Sequence, residues 1–437
     1  MCRFFQRLFM GMVLLFALAA GGNTTCLAEA GNATVKLNDG AAIPYLQDYQ
    51  SRFICDQSSI QGITGAADIT FAVESIRPKL RYDIHVQNVA LTDDVLVLFF
   101  TQHCNTPINY AGELHAAYSS AVYPLYDVFV GDTRIDKMLY REGYPMDATT
   151  EACMIAYALE RPVAADENIC IKQADGKTIT LTVDKSQAAD TTRAVTPKQE
   201  VSLRTSAAAD GTEIDFHFVV ERVAQTPFGG RVSISYEATG EDNVQLPYQV
   251  MDDQGQALPT FTVSRQGGGS AAREQPQWVR NDAWFLGGME STALSIVPLS
   301  FAQESANVST PVAMNELPAQ VTLANGTAIL VDQCKLTKDG FEIGYTPVDY
   351  FGPISFELGD ATGTALAYPF ESIGGNTNDH VKQLLGFDAL WSTEYKGRVV
   401  HQITEAQLDA VKTVIVVSSE TAPTLMTEQA IHIAMEP

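Results

Sequence analysis

The sequence predicts an all-β protein, a chain of tandem antiparallel β-sandwiches with minor helices. Three observations predict it. Apolar residues alternate with polar ones over short stretches separated by turn residues, the period of a half-buried strand. A strand-turn-strand pattern at 84–101 recurs without a gap 245 positions on, at 329–346. An alternating strand running into an Asp-x-x-Gly turn at 248–258 recurs 108 positions on, at 356–366. The 437 residues, 46% of them hydrophobic, are enough for several cores. With 28 Lys and Arg against 52 Asp and Glu, the net charge is −24. That balance excludes a nucleic-acid binder, which needs a positive face, and a protein held to anionic lipid by charge.

In chain order, residues 1–30 read as an export signal. A basic head (Arg3, Arg7) precedes an apolar run from Leu8 to about Ala20, and Ala28 and Ala30 form a small-x-small cleavage site. The run falls short of the roughly 18 residues that span a bilayer, while looser bounds leave a signal anchor open. Residues 31–65 form a lead with a short helix, because Ile43, Leu46, Tyr49, Phe53 and Ile54 recur at helical spacing over 41–56.

Three immunoglobulin-like sandwich units follow, over 66–172, 173–315 and 316–437. The first and third share the hairpin pattern of Ile84–Thr101 and Ile329–Thr346. The middle unit repeats its second half, Asp210–Phe216 matching Asp339–Tyr345. In the turns at Asp252–Gly255 and Asp360–Gly363 the aspartate can bond its own backbone and glycine can supply a positive φ. Val128–Asp132 is a weaker copy. Each unit ends in a closing strand: Ile169–Ile171, Leu294–Ile296, Val414–Val417. Ser264–Gly288 reads as a long loop, and Thr404–Gln407 as a capping box opening a short helical turn.

The search for chemistry is negative. There is no Gly-x-Ser-x-Gly elbow, and the seven histidines never take metal-ligand spacing. His103 and Cys104, adjacent on a strand, point to opposite faces. The acidic turns lack the alternate-residue oxygens of a calcium loop. The sequence therefore offers no catalytic, cofactor-binding or metal-binding residue and calls for no cofactor. Five cysteines remain after cleavage; buried thiols are the favoured state, with one bridge among Cys104, Cys153 and Cys170 as the alternative. Trp278, Trp284 and Trp391 are candidate partner-binding aromatics, against the alternative that they plug the ends of the units.

Asp68–Ile76 together with Ile84–Phe100 resembles the extracytoplasmic domain of Firmicutes membrane proteins related to anti-sigma factors, domains of unknown function. The later units are similar to the β-sandwich domain that often follows it. The family's cytoplasmic sigma-binding part has no counterpart in the roughly seven residues before the apolar run. The resemblance implies an extracytoplasmic sensory or binding region with no catalytic residues.

The expectation is thus a non-catalytic binding or sensory protein of the bacterial cell envelope, secreted or anchored by its N-terminal segment. Its partner would be a protein or glycan, with no nucleic acid and membrane contact only through that segment. The alternative is a membrane-anchored envelope-stress component acting through a separate cytoplasmic partner.

Overall fold

The computed structural model describes residues 31–38, 42–43, 60–74, 81–104, 126–135, 138–145, 150–173, 176–188, 191–206, 213–238, 247–258, 260–262, 277–285, 287–300, 306–336, 340–350, 354–366, 373–375, 387–390 and 405–435. Residues 1–30, read above as an export signal, most of the helix expected over 41–56, and Trp391 lie outside them. Within them the chain is all-β: twenty-nine strands in six sheets, almost wholly antiparallel, with little helix beyond α1 (Glu405–Ala410).

The sheets come in pairs, each around an apolar core. The first sheet has the order β1 (Gly31–Lys36), β10 (Thr178–Asp184), β9 (Asn168–Gln173), β5 (Tyr126–Val130), β6 (Thr133–Arg134), with β1 parallel to β10. The second runs β2 (Thr64–Glu74), β3 (Arg81–Leu91), β4 (Val95–Cys104), β8 (Thr150–Ala158), β7 (Met138–Pro145). Their shared core holds Val35, Ile84, Leu96, Leu98, Phe100, Ile155, Ile169 and Leu181.

In the third sheet β13 (Glu213–Thr226) carries both β11 (Arg193–Val195) and β12 (Gln199–Ser206) on one edge. On its other side follow β14 (Gly229–Ala238), β18 (Gln277–Phe285) and β17 (Thr260–Thr262). The fourth runs β16 (Ala257–Leu258), β15 (Tyr248–Met251), β19 (Ala293–Ser300). On the far edge of β19 lie β28 (Thr424–Leu425) and β29 (Ile431–Ala434). Phe218, Val220, Ile234, Val250, Phe285, Ile296, Ile431 and Ile433 form the core between them.

The fifth sheet is β20 (Asn307–Ala313), β27 (Thr413–Ser419), β24 (Ile354–Gly359), β25 (Ile373–Gly375). The sixth is β21 (Ala319–Thr322), β22 (Ala328–Leu336), β23 (Gly340–Pro347), β26 (Phe387–Leu390). Ile329, Ile343, Tyr345, Phe356, Val414 and Val416 lie between these two.

Several local readings are visible as built. The hairpins expected at 84–101 and 329–346 are β3–β4 and β22–β23, and each shifts register at the same relative place, between Val86 and Asn88 and between Val331 and Gln333. The Asp252 carboxylate accepts from the backbone of Gln254 and Gln256, and the Asp360 carboxylate from that of Thr362 and Thr364. Gly255 and Gly363 both stand at φ +78°. Turn chemistry accounts for both motifs. The hairpin strands β5, β15 and β24 each pair with the closing strand of the same sheet, β9, β19 and β27.

Other readings are corrected. The stretch 264–288 is not one long loop, because β18 occupies 277–285 between β14 and β17. Its charged Arg280 and Asp282 face a second set of sheets rather than water, so its alternation is disguised. The lead is not simply a precursor to the first unit, since β1 is an edge strand of the first sheet. The first unit does not stop at 172, because β10 pairs with β9. Nor does 316–437 stay with the third core: β29 pairs with β19 and buries Ile431, Ile433 and Met435 in the second. The match of 210–216 to 339–345 sets β13 against β23. In its sheet, however, β13 sits between β12 and β14 as β22 sits between β21 and β23, and it too shifts register, between Val220 and Arg222. Finally, Cys170 is disulfide-bonded, whereas Cys153 and Cys334 stand outside any disulfide. A bridge therefore exists, and Cys153 is not in it.

Candidate functional site

The second sheet is buried on both faces. On β4, Leu96, Leu98 and Phe100 enter the first core, while Val95, Val97 and Phe99 enter a separate cluster with Ala152, Met154 and Ala156 of β8. A strand covered on both sides reads as a continuous apolar run, which is why 95–100 is Val-Leu-Val-Leu-Phe-Phe. The cover comes from the third sheet: Phe228, at the β13–β14 turn, and Trp284 of β18 close the cluster. The rings of Phe99 and Phe228 lie 5.8 Å apart. Thr226 shapes that turn, its hydroxyl donating to the Gly229 carbonyl at 2.8 Å. Gly229, at φ +124°, has no room for a side chain because a Cβ there would stand 2.9 Å from the Trp284 ring.

Beside this apolar patch lies a buried ionic one. The β3–β4 turn is held by Thr92, whose hydroxyl accepts from the Val95 N–H at 3.0 Å and the Asp94 N–H at 3.3 Å. It presents Asp94, whose side chain is 1% exposed. One Asp94 carboxylate oxygen accepts from Arg222 Nε at 2.6 Å and from Arg231 Nη2 at 2.8 Å. Arg231 is as deeply buried as Asp94. Arg222 stands opposite Ser233, Arg231 opposite Trp284, and Ser233 opposite Asp282, so one face of the third sheet carries them all. Arg280 on the same face bonds Glu160 of the first pair at 2.7 Å and the Ser233 hydroxyl at 3.1 Å, and Ser233 donates to Asp282. Buried charges of opposite sign at this spacing fix orientation. Their satisfaction is incomplete: among the described residues, Asp94 Oδ2, Arg231 Nε and Nη1, and Trp284 Nε1 have no hydrogen-bond partner.

This arrangement joins two sheet pairs through carboxylates, guanidinium groups and a hydroxyl bonded to one another. Of the candidate aromatics, Trp284 is fully buried and so belongs to the joint between sheets rather than to a partner-binding surface. Trp278 lies on β18 with its side chain outside the described residues. Trp391 lies outside the described residues. Val348 is the exposed large hydrophobic side chain among the described residues, so no aromatic platform is presented there. Ser295 and His432, paired across β19 and β29, approach to 2.8 Å. No carboxylate bonds His432 among the described residues, and the pair lies open on a sheet face, so it lacks the orienting group of a nucleophilic triad. His103 is bonded to Thr150. Among the described residues no three His, Cys, Asp or Glu side chains are placed to hold a metal.

Several groups have altered acidity, and burial pushes the Tyr248 hydroxyl up. The Arg161 guanidinium, with the Ala164 N–H, holds the Glu167 carboxyl down at about 2. Burial pushes the Cys334 thiol up to about 12.

Sequence reasoning missed Asp94, Arg222, Arg231 and Phe228. The signal was there in part: Arg222 and Arg231 interrupt apolar stretches of two long strands, a place where a charge needs a partner. Nothing in the sequence said that the partner was Asp94, 128 residues from Arg222.

No family model matches the chain, and no curated protein matches it. The crystal structure of the conserved domain protein from Bacillus anthracis is similar at 14% identity, with a TM-score of 0.32. That comparison covers 58% of this chain and 82% of the other. The Bacteroides ovatus mixed-linkage glucan utilization locus SGBP-B, in complex with mixed-linkage heptasaccharide, aligns at 8% identity with a TM-score of 0.12. Here the coverage is 82% and 92%. Likeness this slight identifies neither fold family nor ligand.

Proposed function

We propose that this chain is a non-catalytic extracytoplasmic binding or sensory protein of the bacterial cell envelope, built from three immunoglobulin-like β-sandwich repeats. The observation that carries the reading is the pairing of six sheets around three cores, with a register shift recurring at an equivalent strand of each, Val86/Asn88, Val220/Arg222 and Val331/Gln333. Such a scaffold suits display and recognition better than chemistry, which needs convergent reactive side chains in a cleft. The disulfide at Cys170 supports an oxidising compartment. With the apolar segment of residues 8–20, it favours export.

The test is the fate of the N-terminus in the native cell. Membranes and medium are separated and the intact mass of the protein in each is measured. A soluble species beginning at Gly31 is expected. A full-length species held in the membrane would replace secretion with the membrane-anchored signalling alternative. Turnover of any member of a panel of glycans and peptides by the purified mature chain would overturn the non-catalytic reading.

A further inference from the structure

We propose that the third sheet pair is inserted into the second, and that the chain's last strand fastens the second pair, which becomes native only once the insert has brought the carboxyl end back. The pairings carry this. The chain leaves the second pair at Ser300, the end of β19, and returns at Thr424, and these two residues face each other across the ladder. The intervening unit opens at Asn307 and closes at Ser419, which are likewise paired. The Glu420 N–H donates to the Ala306 carbonyl at 2.8 Å between the two ladders. Adjacent ends at both the host and the guest are what an inserted domain requires.

The dependence is one-sided. The insert has its own core, to which no described residue beyond Ala422 contributes. The host lacks part of its core until the end of the chain arrives. Ile431, Ile433 and Met435 are each at most 3% exposed within it, beside Leu294 and Ile296 of β19. Before β29 docks, β19 is an open edge strand of the kind that pairs promiscuously. Four register pairs, from Ala293 with Ala434 to Ile296 with Ile431, close that edge, and the Met435 N–H donates to the Thr292 carbonyl at 2.8 Å.

Native-state hydrogen exchange on the full chain tests the inference. Ile431→Asp with Ile433→Asp removes the docking side chains and leaves the insert untouched. Peptides from β12–β15 and β19 are expected to exchange roughly tenfold faster or more, while those from β22, β23 and β27 keep their protection. Acceleration confined to 424–435 would overturn the proposal, as would loss of protection in the insert. Should the acidic pair prevent accumulation, the opposite perturbation decides. Ser295→Cys with His432→Cys places two thiols at a directly opposed pair, within disulfide reach. Oxidation is expected to slow exchange in the host strands and reduction to restore it. No change on oxidation would overturn the fastener.

Discussion

Removing the Asp94 carboxylate should destabilise the chain by about 3–5 kcal/mol, the cost of stranding a buried charge. The figure rests on Arg231, 1% exposed, whose acceptor is that carboxylate at 2.8 Å. Arg222, 30% exposed, can turn toward water and adds little. Asp94→Ala is therefore expected near the lower end, since Asp282 on the same sheet face offsets part of the stranded charge. The incomplete hydrogen bonding of the pair leads to a second expectation. Replacing both partners, Asp94→Leu with Arg231→Met, should cost under about 1 kcal/mol, because it also removes the unpartnered nitrogens and Asp94 Oδ2. The double-mutant cycle is read by urea unfolding, following the buried strands β4 and β14 so that the joint is reported rather than the third pair. A loss below about 1 kcal/mol for Asp94→Ala alone would refute the reasoning. Single losses that simply add in the double variant would do the same.

Phe356, 5% exposed and with its ring 4.7 Å from that of Tyr345, should cost about 3–5 kcal/mol when changed to Ala, seen as a lower melting temperature of the third pair. Gly255→Ala meets no neighbouring atom, so only its φ of +78° opposes the change, and a loss of about 1 kcal/mol is expected by denaturant titration. Glu167 is held at about 2 against an ordinary 4.5. Its contribution is therefore present above pH 4.5 and disappears as pH falls toward 2. Glu167→Gln should narrow the stability difference between neutral and acidic pH, and an unchanged difference would show the contact is idle in solution. Unfolding without reductant should expose Cys153 and Cys334 to alkylation, with the Cys170 peptide labelled only after reduction, as mass spectrometry would record.

What was legible in the sequence was whatever local chemistry decides. The Asp252 and Asp360 turns are fixed by a carboxylate and a glycine within four residues, and the hairpins at 84–101 and 329–346 by alternation alone. What was hidden depends on contacts far apart in the chain. β18 carries Arg280 and Asp282 on a face that a surface strand would turn to water, and only the first sheet pair behind it shows why they are there. The docking of Ile431 and Ile433 in the second core joins residues about 200 positions from their partners in β13 and β14. Trp284 was ambiguous for the same reason: an indole that seals a joint and one that offers a platform look alike until the opposing surface is known.

The double burial of β4 has a consequence for how such a protein can change over time. A strand with one wet face can vary every second residue at little cost, and novelty in recognition often starts at such free positions. From Val95 to Phe100 there are none, since odd positions meet one core and even positions another. Variation, and with it any new specificity, is displaced outward to the connections and to the outer faces of the first and fourth sheets. The middle of the stack is where this lineage has the least freedom to drift.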